Sequence, residues 1–125
     1  MSMSLRPVRE DWGAYSEGFC DDPVNILSAL TDEFTGGHYR GYSIHHHGEE
    51  SYVNLTVVRI SDGKTFLDRL YVMNWKERHR LAVKLAEEHG EDVGDVESLL
   101  SNMHNLAEEW RGMLDRDGSL RLYVD

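Results

Sequence analysis

At 125 residues, with 40% hydrophobic and 29% charged side chains, the chain is sized for one domain with its own core, so folding requires neither a metal nor a disulfide. A formal net charge of −10 discourages non-specific attachment to nucleic acid or anionic membranes, and no window approaches the roughly 20 apolar residues that span a bilayer. The lone Cys20 excludes an internal disulfide framework. Its neighbours Asp21 and Asp22 disfavour the thiolate, so it reads as structural, and with no signal peptide the expected location is the cytoplasm.

Taken in chain order, residues 2–9 read as an arm, and residues 10–19 as one or two helical turns interrupted by Gly13 and Gly18. Asp22-Pro23 is a helix start, an acceptor cap followed by proline at the first helical position. Val24, Ile26, Leu27, Leu30 and Phe34 follow at helical spacing, and Gly36-Gly37 stops the run. Residues 38–44 suit a strand with a bulge at Gly41, and residues 45–51 form a polar loop.

The apolar runs 53–60 and 65–72 flank Ser61-Asp62-Gly63-Lys64, the strongest short-range signal for a β-hairpin. A two-residue turn there sets Val53, Leu55, Val57, Phe66, Leu70 and Val72 on the core face, with Arg59 and Asp68 near its turn end. Asn74-Trp75-Lys76-Glu77 then supplies a capping box for a helix over 75–89 that buries Leu81, Ala82, Leu85 and Ala86 and ends at Gly90. From about residue 92, Val96, Leu99, Leu100, Met103, Leu106, Ala107, Trp110, Met113 and Leu114 recur at three- and four-residue steps, the stripe of a second amphipathic helix. Leu120, Leu122 and Val124 alternate with Arg121 and Tyr123 as a closing strand returning to the sheet's edge. The expected fold is therefore a single α+β domain. A small, mainly antiparallel sheet of about four strands is covered on one face by two long amphipathic helices, with a short helical region at the N-terminus.

Chemistry-bearing motifs are few. Gly63-Lys64-Thr65 resembles the end of a phosphate-binding loop, but Val58 stands where that loop needs glycine, so no nucleotide cofactor is expected. His45 and His47, two apart in an extended chain, could offer two imidazoles to a metal with His38 nearby. Nothing specifies a third ligand, no His-Glu-x-x-His pattern occurs, and a solvated loop is the plainer reading. His89 beside Gly90 complements a helix C-terminus, and adjacent acids such as Glu87-Glu88 and Glu108-Glu109 diverge on a helix rather than converge on a substrate.

Charge is uneven along the chain. Residues 59–84 hold seven cations against three acids, a local +4, which leaves −14 for the remainder. Arg69, Lys76, Arg78 and Arg80 interleave with Tyr71 and Trp75, the composition of a surface that contacts phosphates and stacks bases, or of a helix sealed onto a sheet.

Ile60-Ser61-Asp62-Gly63-Lys64-Thr65-Phe66-Leu67-Asp68-Arg69-Leu70, followed by Arg78, Arg80-Leu81-Ala82, Leu85-Ala86, Val96-Glu97 and Leu99-Leu100, resembles a segment of phage and plasmid replication proteins. That segment is the small hairpin-plus-two-helix unit beside primase or helicase-like ATPase regions, and the resemblance covers residues 53–114. It implies an accessory module from a mobile element without the motor, since no nucleotide-binding or polymerase motif accompanies it. The expected function is a non-enzymatic protein-binding module. It would act through Arg69, Tyr71, Trp75, Lys76, Arg78 and Arg80 or through an acidic flank that includes Glu108 and Glu109. In its specific form it is an acidic inhibitor occupying the groove of a nucleic-acid-processing enzyme. The alternatives are a replication-accessory domain touching DNA or RNA through residues 59–84, and a metal-dependent activity at residues 45–50.

Overall fold

The computed structural model of the chain describes residues 3–7, 19–21, 26–36, 39–47 and 52–124, of which 3–4, 19–21, 39–47, 52–57 and 124 enter through backbone pairing alone. The elements run β1 (Met3–Pro7), β2 (Phe19–Asp21), α1 (Leu27–Thr35), β3 (Tyr39–His47), β4 (Tyr52–Ile60), α2 (Gly63–Val72), α3 (Trp75–His89), α4 (Val93–Arg111) and β5 (Leu120–Val124). The strands form one antiparallel sheet in the order β2-β1-β5-β4-β3. The α+β class is as expected, with five strands among the described residues rather than about four. Leu5, Val58, Ile60, Leu120 and Leu122 join one buried cluster with α1, α2 and α4, and α3 packs chiefly on α4 as an outer layer.

The expected hairpin at residues 53–72 does not form. β4 runs as a strand to Ile60, but residues 63–72 are helix α2. Spacing and desolvation explain the outcome. As a helix the segment buries Phe66, Leu67 and Leu70, one step and one turn apart, worth about 1.5–3 kcal/mol each, and leaves Asp68 outside the core. As a strand, with Phe66, Leu70 and Val72 inward, it would carry Asp68 on the same face, at a cost of several kcal/mol for an unpaired buried carboxylate. Asp62 serves as the helix N-cap, accepting from the Thr65 backbone N–H at 3.2 Å. Gly63 is needed for close approach rather than for a turn: a Cβ there would lie 2.5 Å from the Leu120 backbone nitrogen and 2.8 Å from Leu114 Cδ2.

The face of β4 is also inverted from expectation. Val58 and Ile60 are buried and pair with Leu122 and Leu120, whereas the register puts Val57 in the row of Tyr123 and Tyr42 on the opposite face. Arg59, which the expected parity turned toward the core, marked the error.

β3 continues through His47 opposite Tyr52, so His45–His47 are ladder residues and not loop. Residues 3–7 are not a loose arm but strand β1, paired with β2 and β5, with Leu5 and Pro7 buried and Arg6 exposed between them. β1 also moves β5 from the expected edge to the centre of the sheet. The expected helical turns at residues 10–19 fall, apart from Phe19 in β2, outside the described residues. The Asp22-Pro23 start lies outside them too, and α1 runs from Leu27 and ends on Gly36 at φ 82°.

The long helices follow their patterns. Asn74 and Glu77 form the reciprocal capping box, Gly90 ends α3 in the left-handed region, and Leu81, Ala82, Leu85 and Ala86 are buried. In α4, Val96, Leu99, Leu100, Met103, Ala107 and Trp110 are buried; Met113 and Leu114 fall beyond its end at Arg111.

Candidate functional site

Only Met73 and Asn74 separate α2 from α3, so the chain turns sharply where the core side of α2 runs out. Arg78 fixes the turn by donating from Nη1 to the Met73 carbonyl at 2.7 Å. At this corner stand the exposed large apolar side chains among the described residues: Tyr71 is 49% exposed, Trp75 66% and Val72 71%. Isolated exposed apolar residues are ordinary; three within five positions on one corner are a candidate contact surface.

Beside the corner, α1, α2 and α3 enclose a groove of about 290 Å³. Phe34, Val72, Met73 and Leu81 supply its apolar lining, and Arg69, Arg80 and Lys84 stand there with Glu33 and Glu77. Lys84 donates to Glu33 Oε2 at 3.2 Å, and Glu77 Oε1 accepts from the Asn74 backbone N–H at 3.4 Å within the capping box. The Arg69 guanidinium lies 5.6 Å from the Phe34 ring centroid, and Lys76 Nζ lies 5.6 Å over Trp75. Neither Arg69, Lys76 nor Arg80 has a carboxylate partner among the described residues.

Set against protein-family models, curated proteins and solved structures, the chain matches none. Its function has to be argued from its own residues.

The expected binding residues divide into four groups. Arg69 and Arg80 meet at the groove, with Trp75 and Lys76 beside it at the corner. Tyr71 turns toward α4, stacked on His104 with centroids 6.4 Å apart and covered by Arg111, which also pairs with Asp68. His104 in turn donates from Nδ1 to the Leu70 carbonyl at 2.8 Å, tying α2 to α4. Arg78, bound to Met73, is structural. Glu108 and Glu109 lie near the C-terminal end of α4, about 24 Å along its axis from Asp92, so the acids at the α3–α4 turn and those at the far end do not make one strip.

His45 and His47 occupy one face of β3 by position, opposite Asn54 and Tyr52. His38 is outside the described residues. Among the described residues no group of three His, Cys, Asp or Glu side chains is placed to hold a metal, and no helix is long and apolar enough to cross a membrane.

Two features escaped sequence reasoning. Phe34 of α1 meets Met73, Leu81 and Lys84 of the α2–α3 link and α3 across some forty positions, and each reads locally as core or as surface charge. The second is a polar network at the opposite end of α2. Asp115, only 2% exposed in its side chain, accepts from Arg121 Nη2 at 3.0 Å and lies 3.2 Å from the Ser119 hydroxyl, whose proton goes to Asp117 at 2.6 Å. Arg59, paired with Arg121 in the β4–β5 register, donates to Asp117 at 2.6 Å. Hydrogen bonds from the Ser119 hydroxyl and backbone N–H, with help from Arg59, lower the Asp117 carboxyl from its ordinary 3.8 to about 2. Residues 115–119 read from sequence only as a turn.

Proposed function

We propose that the chain is a non-enzymatic protein-binding module whose docking surface is the α2–α3 corner. The observation that carries this reading is the exposure of Val72 and Trp75 near a groove whose arginines have no carboxylate partner among the described residues. Aromatic and arginine side chains are the types that dominate binding energy at interfaces; Arg69 and Arg80 line the groove, and Trp75 is exposed at the start of α3. A mobile-element origin would rest on the likeness of residues 53–114 to replication-protein segments, whose hairpin is here replaced by strand β4 and helix α2. The inhibitor form of the reading would rest on the acids at the α3–α4 turn, Glu87, Glu88, Glu91 and Asp92, acting apart from Glu108 and Glu109.

Co-purification from cells of the source organism tests the module. Proteins retained by the native chain should be lost from a Val72→Ser/Trp75→Ser variant that folds normally; the same proteins retained by both would refute the corner.

Contact with DNA or RNA through residues 59–84 is the second reading, favoured by the stacking of Lys76 on exposed Trp75. Four of the seven cations there, Lys64, Arg69, Lys76 and Arg80, have no carboxylate partner among the described residues, while Arg59 and Lys84 are ion-paired and Arg78 is bound to a carbonyl. Phosphate contacts make affinity fall steeply with salt, so absence of binding to single- and double-stranded oligonucleotides at low ionic strength eliminates it.

A further inference from the structure

We propose that the α1–α2–α3 groove receives an acidic, apolar segment of a partner protein: a carboxylate on Arg69 and Arg80, with a neighbouring aliphatic or aromatic side chain against Phe34, Met73 and Leu81. The inference rests on the reading of the chain as a protein-binding module and names the class of partner. Charge complementarity sets the occupant. The protein carries −10, and of the groove's three cations Lys84 is neutralised by Glu33, while Glu77 is turned into its capping box. Arg69 and Arg80 remain as two arginines lining a mixed polar and apolar groove with no carboxylate among the described residues to pair with them. Guanidinium is the group suited to binding a carboxylate in a fork, and it tolerates an apolar flank better than ammonium does, as Arg69 already does over the Phe34 ring.

The volume decides the scale. About 290 Å³ holds one or two side chains and not a folded surface, so the contact is a short segment with one anchor. A nucleic-acid strand fits less well. It needs a run of cations along a backbone, whereas this groove offers two and interposes Glu33 and Glu77.

The test is selection from a random twelve-residue peptide display library over the full native chain and over Arg69→Gln/Arg80→Gln. Both positions are exposed, so the variant should keep the native circular dichroism spectrum. The expected result is enriched peptides with Asp or Glu within four residues of Leu, Ile, Phe or Trp. A resynthesised peptide should bind the variant at least ten-fold more weakly. Peptides that lack an acid, and that lose binding on Val72→Ser/Trp75→Ser but not on Arg69→Gln/Arg80→Gln, overturn the carboxylate while leaving the docking corner intact. No enrichment on the native chain overturns both. A single-stranded oligonucleotide that binds more tightly than the selected peptide, through the same arginines, overturns the proposal in favour of nucleic acid.

Discussion

At its N-terminal end α2 starts against β5 with no spare space, and the two arginines of the β4–β5 ladder there are paired: Arg121 with Asp115, Arg59 with Asp117. At its C-terminal end, nine residues on, the same helix leaves Val72 in solvent, borders Trp75 and lines a groove with two arginines that lack a carboxylate among the described residues. One end uses its polar groups to complete the fold, so their partners lie within the chain. The other end has apolar surface and cations that the fold does not use, which is what a surface intended for something else requires. Net charge hides this difference, because arginines at both ends count equally toward it.

The comparison breaks first at Gly63. Helix propensity alone favours Gly63→Ala by up to about 1 kcal/mol. A Cβ 2.5 Å from the Leu120 backbone nitrogen forces β5 or α2 to move, and overpacking of this kind costs about 3 kcal/mol. The clash should win, giving a net loss of about 2 kcal/mol for alanine and more for Gly63→Val, read from urea denaturation. Stabilisation by alanine would show that the close end is looser than described.

Asp115→Ala should cost slightly less than the valine change, about 3 kcal/mol, because it strands Arg121, whose side chain is only 14% exposed. Replacing both members of the pair with apolar residues should recover much of that loss. At the open end, Val72→Ser/Trp75→Ser should change stability by about 0.5 kcal/mol or less, since both side chains already stand mostly in water.

The smallest effect concerns Asp117. Its carboxyl is depressed to about 2 in the folded protein against an ordinary 3.8. The folded state therefore favours the charged form, so this contribution to stability is present above pH 3.8 and disappears as pH falls through about 2. Asp117→Asn should accordingly be less stable than the native chain at neutral pH, with the gap closing near pH 2. The carboxyl is more than half exposed, so the gap is small and shrinks with salt.

What the sequence revealed follows the same division. α3, α4 and β5 were legible because caps, stop signals and apolar period agree within each segment; Asn74, Glu77 and Gly90 act where their chemistry says they should. α2 was misread because Asp62-Gly63 serves two structures equally well. An Asp before Gly can turn a hairpin or cap a helix, and what separates them is the fate of Asp68 and the proximity of Leu120, a contact across 57 positions. β1 was missed because its alternation spans only Leu5, Arg6 and Pro7. Of the site, Arg69, Trp75, Lys76 and Arg80 were legible as composition, but the groove was not, because α1 supplies one wall from 35 residues upstream of Arg69.

The most direct test is the dissociation constant of a captured partner for the native chain and for Val72→Ser/Trp75→Ser, measured on proteins with matching urea midpoints. If the corner is the binding surface, losing an aromatic anchor should weaken binding by about thirty-fold or more while the midpoint stays in place. Equal affinity for the two proteins would contradict the account.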